Sequence, residues 1–395
     1  MNMTTIHQKF QVAFEYPVHF THAVFAQDNP LLAETVASGS GKAVRALVVI
    51  DSGVVTANPA LLTQLNLWFT AFAGTVQLVK PPMIMPGGEN TKNGWSGVRE
   101  IMTCAGLEHL DRQSYIIAIG GGSVLDMAGF AASLVHRGIR LVRLPTTVLA
   151  QNDAGVGVKN GMNDGGAKNF AGTFAPPFAV INDFEFLKTL PFPEWVSGVA
   201  EAFKVAIISD RPFFTWLCEN AAQVKARDQA VMEQLVYRTA RLHLQHIASS
   251  GDPFEFGSAR PLDFGHWAGH RLELISNFSI GHGAAVAIGI AIDSAYALLE
   301  KRISEAEFTA IVSAMQRCGL PTGSDLLERL NSDGDPDVLK GLEQFREHLG
   351  GELCITLPNP VGSKIEVHQM DRALLKEAIR FVCHGFPFET ERPTI

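Results

Sequence analysis

The sequence predicts an α/β protein: an N-terminal parallel sheet wrapped by helices, followed by a second, mostly helical domain. Three observations carry this. Short aliphatic runs alternate with helix-length segments over the first half of the chain. From about Pro193 onward the long segments all have helical length and periodicity. The chain has 395 residues, more than one core usually organises, since single cores stop growing near roughly 250–300 residues. The boundary is expected after "FLKTLP", giving domains 1–190 and 191–395.

The elements follow in order. "FQVAFEYPVHFTHAVF" alternates apolar and polar residues and reads as a strand pair. "RALVVIDSGV" is a buried strand ending at Asp51, followed by a helix from Pro59 to Phe72 and a strand at "TVQLV". "NGWSGVREIMTCAG" is helical, "SYIIAIGGGS" is a strand running into glycines, and "VLDMAGFAASLVHRG" is helical again before the strand "IRLVRLPTT". Strands alternating with helices imply parallel pairing through crossovers. In the second half "PEWVSGVAEAFKVAIIS", "AVMEQLVYRTARLHLQHIASS", "GHWAGHRLELIS" and "HGAAVAIGIAIDSAYALLEKR" read as helices, "ELCITLPN" as a strand and "VHQMDRALLKEAIRFVCH" as a last helix.

Composition narrows the function classes. The net charge is −8 and no long basic run occurs, which argues against a nucleic-acid surface. Five cysteines, far apart and without a CxxC pair, read as free thiols of a reducing compartment. No signal peptide and no uncharged span of about 18 apolar residues is found, so a cytoplasmic protein without a membrane helix is expected.

Four stretches carry chemistry. In "IIAIGGGSVLDMAGF", Gly120, Gly121 and Gly122 leave a strand and open a helix, with Ser123 and Asp126 just inside it. Glycines there let a phosphate approach the backbone and the helix N-terminus, at the strand ends where such folds bind ligands. "PGGENTKN" reads first as a helix cap at Asn90 or Thr91, and beside a nucleotide Glu89 and Lys92 become contacts. "RLPTTVLAQNDAGVGVKNGMNDGGAKNF" is expected as a long loop presenting Asp153, Lys159, Lys168 and Asn169 to a phosphorylated ligand. Glu201, His266 and His282 are a carboxylate and two imidazoles of the kind that hold a catalytic metal, although sequence spacing alone cannot bring them together. His270, four residues after His266, lies on the same helical face and competes for the same role.

Taken together, "PTTVLAQNDAGVGVKNGMNDGGAKNF…FLKTLP…GVAEAFKVAII…DPFEFGSARPLDFGHWAGHRLE…HGAAVAIGI" resembles the 3-dehydroquinate synthases and their relatives, the sugar phosphate cyclases, over roughly residues 45 to 300. The resemblance implies a Rossmann-like NAD domain, a helical metal domain, a divalent metal (zinc first, cobalt or iron as alternatives) and a homodimer. It implies metal ligands Glu201, His266 and His282, with His270 near the substrate phosphate. Lys159 and Asn169 match phosphate contacts, and Arg137 matches an arginine that reaches the neighbouring subunit's site. Asp153, Lys168 and Lys204 match residues near the reacting hydroxyls. Cofactor contacts would be Asp51, Glu89, Lys92, Gly121, Gly122, Ser123, Asp126, Thr146, Thr147, Lys168, Phe186 and Thr189.

Departures from the family pattern point to the substrate. The positions of a Lys and an Arg that grip the dehydroquinate synthase substrate's carboxylate fall on Gln245 and Ala259, with Arg260 one residue away. A family Asn is Asp263, "HGE" becomes "HGA", and Arg346 replaces a late phosphate-binding Lys. Charge-assisted contacts contribute about 1.5–3 kcal/mol each, so a carboxylated substrate is disfavoured. A ketose phosphate such as sedoheptulose 7-phosphate, closing to a valiolone-type cyclitol, is the expectation. "SARPLDFGHW" resembles most the cyclases of the bacterial ebo gene cluster. The mechanism implied is transient oxidation by NAD+, phosphate elimination, re-reduction, ring opening and aldol closure. The alternatives are 3-dehydroquinate synthase itself, a glycerol-dehydrogenase-like or iron-type alcohol dehydrogenase, and a non-catalytic relative that binds NAD and metal.

Overall fold

The computed structural model describes residues 5–37, 39, 41–165, 167–249, 253–254, 261–348 and 351–384. The first half runs Val18–Thr21 (β1), Leu31–Val36 (α1), Val44–Asp51 (β2), Ser52–Ala57 (α2), Leu61–Ala71 (α3), Val76–Leu78 (β3), Met83–Met85 (β4), Ser96–Leu107 (α4), Tyr115–Gly120 (β5), Gly122–Leu134 (α5), Arg140–Pro145 (β6), Lys159–Asp164 (β7), Ala167–Phe174 (β8) and Ala179–Asp183 (β9). Seven strands form one parallel sheet in the order β1-β9-β6-β5-β2-β3, with β4 also paired to β2.

The near-continuous aliphatic runs of β2 and β5 are explained by burial on both faces. Successive side chains point to opposite faces of a strand. Ala46, Val48 and Ile50 pack with Tyr115, Ile117, Leu65 and Trp68 on the α1/α3 side. Leu47 and Val49 pack with Ile116, Ala118, Val98, Ile101 and Val124 on the α4/α5 side. The crossovers leave the carboxyl ends of β2, β5 and β6 side by side, with Gly120 in register with Pro145.

Three expectations are corrected here. Only β1 forms in the N-terminal stretch, and residues 10–16 make no strand. The glycine-rich segment after β6 is not an open loop: it folds as a π-helical turn at Ala150–Ala154 and then the antiparallel hairpin β7–β8. Buried Arg143 reaches from β6 to the carbonyls of Gly155, Gly157 and Lys159 and to Asn160 Oδ1, so that segment's polar groups are met from within. The expected cap at Asn90 or Thr91 is instead Gly88, at φ 80°, opening the short 3-10 turn Glu89–Lys92.

The second half contains Phe192–Ser209 (α6), Arg211–Lys225 (α7), Gln229–Ser249 (α8), His266–Ile275 (α9), His282–Leu299 (α10), Glu305–Cys318 (α11), Lys340–His348 (α12), the antiparallel pair Ile355–Pro358 (β10) and Lys364–Val367 (β11), and Arg372–His384 (α13). Helices α6 and α10 are apolar almost all round because they sit at the centre of one core. Among the described residues α10 is the one helix long and apolar enough to cross a membrane, and 78% of it is buried inside the protein. Close approach of α9 to α10 demands Gly265: its φ is +78°, and a Cβ there would stand 2.7 Å from Ile290 N.

Candidate active site

Two adjoining regions hold the predicted residues. The first is a cleft of about 590 Å3 at the carboxyl ends of β2, β5 and β6, lined by Asp51, Gly121, Gly122, Ser123, Thr146, Thr147, Phe186 and Thr189. Helix α5 begins at Gly122, with Gly121 as its cap residue and no side chain over its free amides. Asp51 caps α2 and accepts from Gly53 N at 2.7 Å. Burial raises its carboxyl pKa despite the surrounding backbone donors. Gly87 is required beside it, because a Cβ there would stand 2.4 Å from both Asp51 carboxylate oxygens.

Between the cleft and the second region, Lys92 Nζ is 2.7 Å from Asp126 Oδ2 and 3.8 Å from Glu89 Oε1, and it also donates to Asn169 Oδ1. Ser123 Oγ donates to Glu89 Oε2 at 3.2 Å, and Asn163 Nδ2 donates to Glu89 Oε1 at 3.2 Å. Six residues that the sequence scatters over three motifs thus form one cluster under the N-terminal turn of α5.

The second region lies where α6, α9 and α10 meet. One ligand-capable atom each from Glu201, His266 and His282 falls within 4.8 Å of the others. Glu201 Oε1 is 3.7 Å from His266 Nε2 and 3.5 Å from His282 Nε2. Glu201 is fully buried, and neither of its oxygens finds a donor at hydrogen-bond angle, although Lys204 Nζ lies against Oε2. A buried carboxylate without aligned donors is costly, and a divalent cation between it and two imidazoles removes that cost. The residues fit a metal.

His282 is shared between two possible groupings, the other being His270, Glu273 and His282. Glu273 decides between them. Its Oε2 is 3.1 Å from His282 Nδ1, and its Oε1 is 2.7 Å from Lys168 Nζ. A carboxylate already neutralised by lysine, on the far nitrogen of a histidine, is the usual orienting partner of a metal-binding imidazole. His282 Nε2 is thereby turned toward Glu201. His270 meets His266 edge-on at 5.4 Å ring distance and stacks on His282 at 5.8 Å, without joining the Glu201 grouping.

Electrostatics agree with that division. Burial, then Lys204, pushes His266 down to about 4 and keeps it neutral. Burial opposes the charge on His282 as well, but Glu273 and Glu201 outweigh it and push it up to about 9. The two carboxylates thus favour one positive charge there, a role a divalent cation can take over. Burial, with His266 and His282 alongside, pushes His270 well below its ordinary value.

Asp153 and Lys204 stand beside this centre. Lys204 Nζ is 3.7 Å from Asp153 Oδ1, and both Asp153 and Glu201 hold the buried lysine charged. Asp153 is well placed by its neighbours: Gln151 Nε2 donates to Pro145 O and Asp183 O, and Asn152 Nδ2 donates to Gly198 O of α6. Although burial raises its pKa, Lys204 and His243 together hold its carboxyl below the usual carboxylate range.

Other expected residues lie further out. Asp263 is half-buried, near enough for its charge to act on Lys204. Arg137, Lys159 and Arg346 are exposed, and Arg137 has φ 66°. Gln245 is exposed on α8, while Ala259 and Arg260 lie outside the described residues. Sequence reasoning missed Glu273, Arg143, His243 and Asp293. For Glu273 a signal existed: it follows His270 by three residues, on one helical face. His243 follows buried Thr239 and Ala240 at helical spacing.

Comparison with known proteins identifies the family. Residues 82–197 match the model of the 3-dehydroquinate synthase N-terminal domain, and residues 198–334 match that of the C-terminal domain. A protein of Aliivibrio fischeri named 3-dehydroquinate synthase is 32% identical over 378 residues, 95% of this chain and 99% of its own. ValA, a 2-epi-5-epi-valiolone synthase from Streptomyces hygroscopicus subsp. jinggangensis solved with NAD+ and Zn2+, superposes with a TM-score of 0.83 at 25% identity, covering 95% of this chain and 99% of that one. The fold is also that of 2-deoxy-scyllo-inosose synthase, solved with carbaglucose-6-phosphate, NAD+ and Co2+: TM-score 0.71 at 21% identity, covering 92% and 96%. With both halves of the chain matched in order and a full-length relative at this identity, the chain belongs to the 3-dehydroquinate synthase family.

Proposed function

We propose that the chain is an NAD- and metal-dependent sugar phosphate cyclase that converts sedoheptulose 7-phosphate, with loss of phosphate, to a valiolone-type cyclitol. One observation carries the reading. The buried Glu201–His266–His282 group and the Asp153–Lys204 pair share one centre, and a glycine-walled cleft is tied to it by contacts running from Ser123 through Glu89 to Lys92.

The cofactor contributes reversible hydride exchange, and the metal contributes polarisation of the oxygen on the reacting carbon. The remaining work falls to side chains. Glu201, His266 and His282 would hold the metal, and Glu273 and Lys168 fix the His282 ring. Asp153 and Lys204 orient two substrate hydroxyls. Lys159, Asn169 and His270 are assigned to the phosphate, with Arg137 from the second subunit of a cytoplasmic homodimer and with Arg346. Asp51, Thr146, Thr147, Phe186 and Thr189 receive the cofactor. The domains divide near residue 190.

The substrate choice rests on charge. Exposed Gln245 stands where a carboxylate-gripping lysine is expected, and Asp263 adds negative charge near Lys204. The likeness to ValA supports it. The second reading, 3-dehydroquinate synthase, is favoured by relatives of that name at 32% and 35% identity. Phosphate release with NAD+ and Zn2+ separates the two. Turnover of sedoheptulose 7-phosphate is expected, with none of the carboxylated seven-carbon substrate of dehydroquinate synthase. The reverse preference overturns the proposal.

A further inference from the structure

Helix α8 turns His243 toward Asp153. Nδ1 lies 2.7 Å from Asp153 Oδ1, with 13% of the imidazole side chain exposed. Two features distinguish it from a filler of the helix interface. The contact is close but misaligned: among the described residues the buried Nδ1 has no partner at hydrogen-bond angle. The opposite edge faces a glycine: a Cβ on Gly157 would stand 3.5 Å from Nε2, in van der Waals contact, and its absence leaves that edge open. Nδ1 is therefore committed to Asp153, while Nε2 remains available in a region otherwise tightly bonded.

The pair also has a place in a chain of contacts. Asp153 Oδ1 lies between His243 and Lys204, and Lys204 in turn rests against Glu201. A carboxylate held from two sides has its free lone pairs aimed in a fixed direction. Released from His243, it can swing onto the lysine 3.7 Å away. Hydroxyls suit this corner better than a carboxylate does, because Asp153 already supplies one negative charge and Asp263 lies near enough to Lys204 to act on it.

We propose that His243 is a positioning and specificity residue of the substrate site. Its Nδ1 edge holds Asp153 in the orientation that receives one substrate hydroxyl, and its Nε2 edge takes a neighbouring hydroxyl of an open-chain polyol phosphate. The choice of ligand class rests on the cyclase reading above. The geometry of the pair does not.

The test uses the full chain loaded with Zn2+ and NAD+. His243→Asn places an amide nitrogen near the position of Nδ1, and His243→Gln places one near Nε2. Calorimetry with a heptitol 7-phosphate, which lacks the carbonyl that the closing aldol needs, reports binding. Phosphate release from the ketose phosphate reports kcat and KM. His243→Ala should weaken heptitol phosphate binding at least about tenfold and lower kcat about thirtyfold, with metal content and NAD+ affinity unchanged within twofold. Asn should restore kcat, and Gln should restore binding and KM. If His243→Ala does not fold, Asn and Gln, closer in volume to histidine, carry the test through that split. Binding and kcat both within threefold of wild type in His243→Ala, or in His243→Asn and His243→Gln alike, overturn the proposal, as does a wild type that does not bind the heptitol phosphate. A wild type that binds it yet releases phosphate from neither sugar refutes the cyclase reading alone, and His243 is then judged on calorimetry.

Discussion

The cofactor cleft and the metal centre solve opposite problems with opposite materials. The cleft is made by leaving side chains out: Gly87, Gly121 and Gly122 open space at strand ends, with the Asp51 carboxylate beside them. The metal centre is made by burying charge. Glu201, Lys204, His266 and Glu273 are all buried and survive there by pairing. A cleft of the first kind tolerates change in charge but not in volume. A centre of the second kind tolerates modest change in volume but not in charge.

The sharpest way to break that contrast is Glu201→Gln, which keeps shape and removes charge. Metal affinity should fall at least about a thousandfold and turnover should vanish with it, while NAD+ binding stays within twofold. Metal analysis and calorimetry read both, and a variant with full metal content would remove Glu201 from the ligand set. Next in size is Glu273→Gln, one contact further from the metal. Loss of an orienting carboxylate costs about 10–100-fold in metal affinity, and that range is expected here because His282 loses its partner at 3.1 Å. An unchanged affinity would mean that the His282 ring is fixed by packing instead.

The mirror experiment adds volume without charge. Gly87→Ala puts a methyl group 2.4 Å from the Asp51 oxygens, so one of the two must move. NAD+ affinity should fall about tenfold and metal content should not change. Equal loss of both would show that the two regions are a single mechanical unit.

The same contrast explains how much was legible in the sequence. The cleft was readable because its parts are contiguous: a buried strand, three glycines and a helix start lie within "IIAIGGGSVLDMAGF". The metal residues could be nominated by type but not brought together, since α6, α9 and α10 meet only through tertiary packing. The choice between His266 and His270 was open on spacing and rested on family likeness. Glu273, salt-bridged to Lys168 and touching His282, is the structural reason for it. The hairpin β7–β8 was missed because its glycines and asparagines resemble a loop, and nothing in the sequence marks Arg143, at the head of the same stretch, as the buried side chain that organises the approach to it. The N-terminal alternation at residues 10–16 was read as a strand, yet Phe10, Val12 and Phe14 are exposed and pair with no sheet edge among the described residues. Alternation needs a neighbour to become a strand.

The smallest predicted effect concerns a carboxyl group packed beside His266 and met by neutral donors. Asp293 of α10 is fully buried and accepts from Gly265 N at 2.9 Å and Trp267 Nε1 at 2.8 Å, the residues on either side of His266. Burial pushes its carboxyl up to about 7, and the two donors only partly offset this. The unfolded chain releases this proton near the ordinary carboxylate value, about 4. Between about pH 4 and 7 the folded state therefore binds more protons than the unfolded state. Stability must fall with rising pH across that window and level off above it. Asp293→Asn removes the ionisation, and its denaturation midpoint should lack the descending limb. The Asn side chain can accept from one of the two donors but meets the other with an N–H, so the variant should be about 1–2 kcal/mol less stable near pH 5, the gap narrowing toward pH 8. Urea denaturation of the metal-loaded protein at a series of pH values measures this. Parallel pH profiles for the two proteins would mean that Asp293 stays ionised throughout, and that a buried carboxylate with two neutral donors is sufficient to anchor the turn that carries His266.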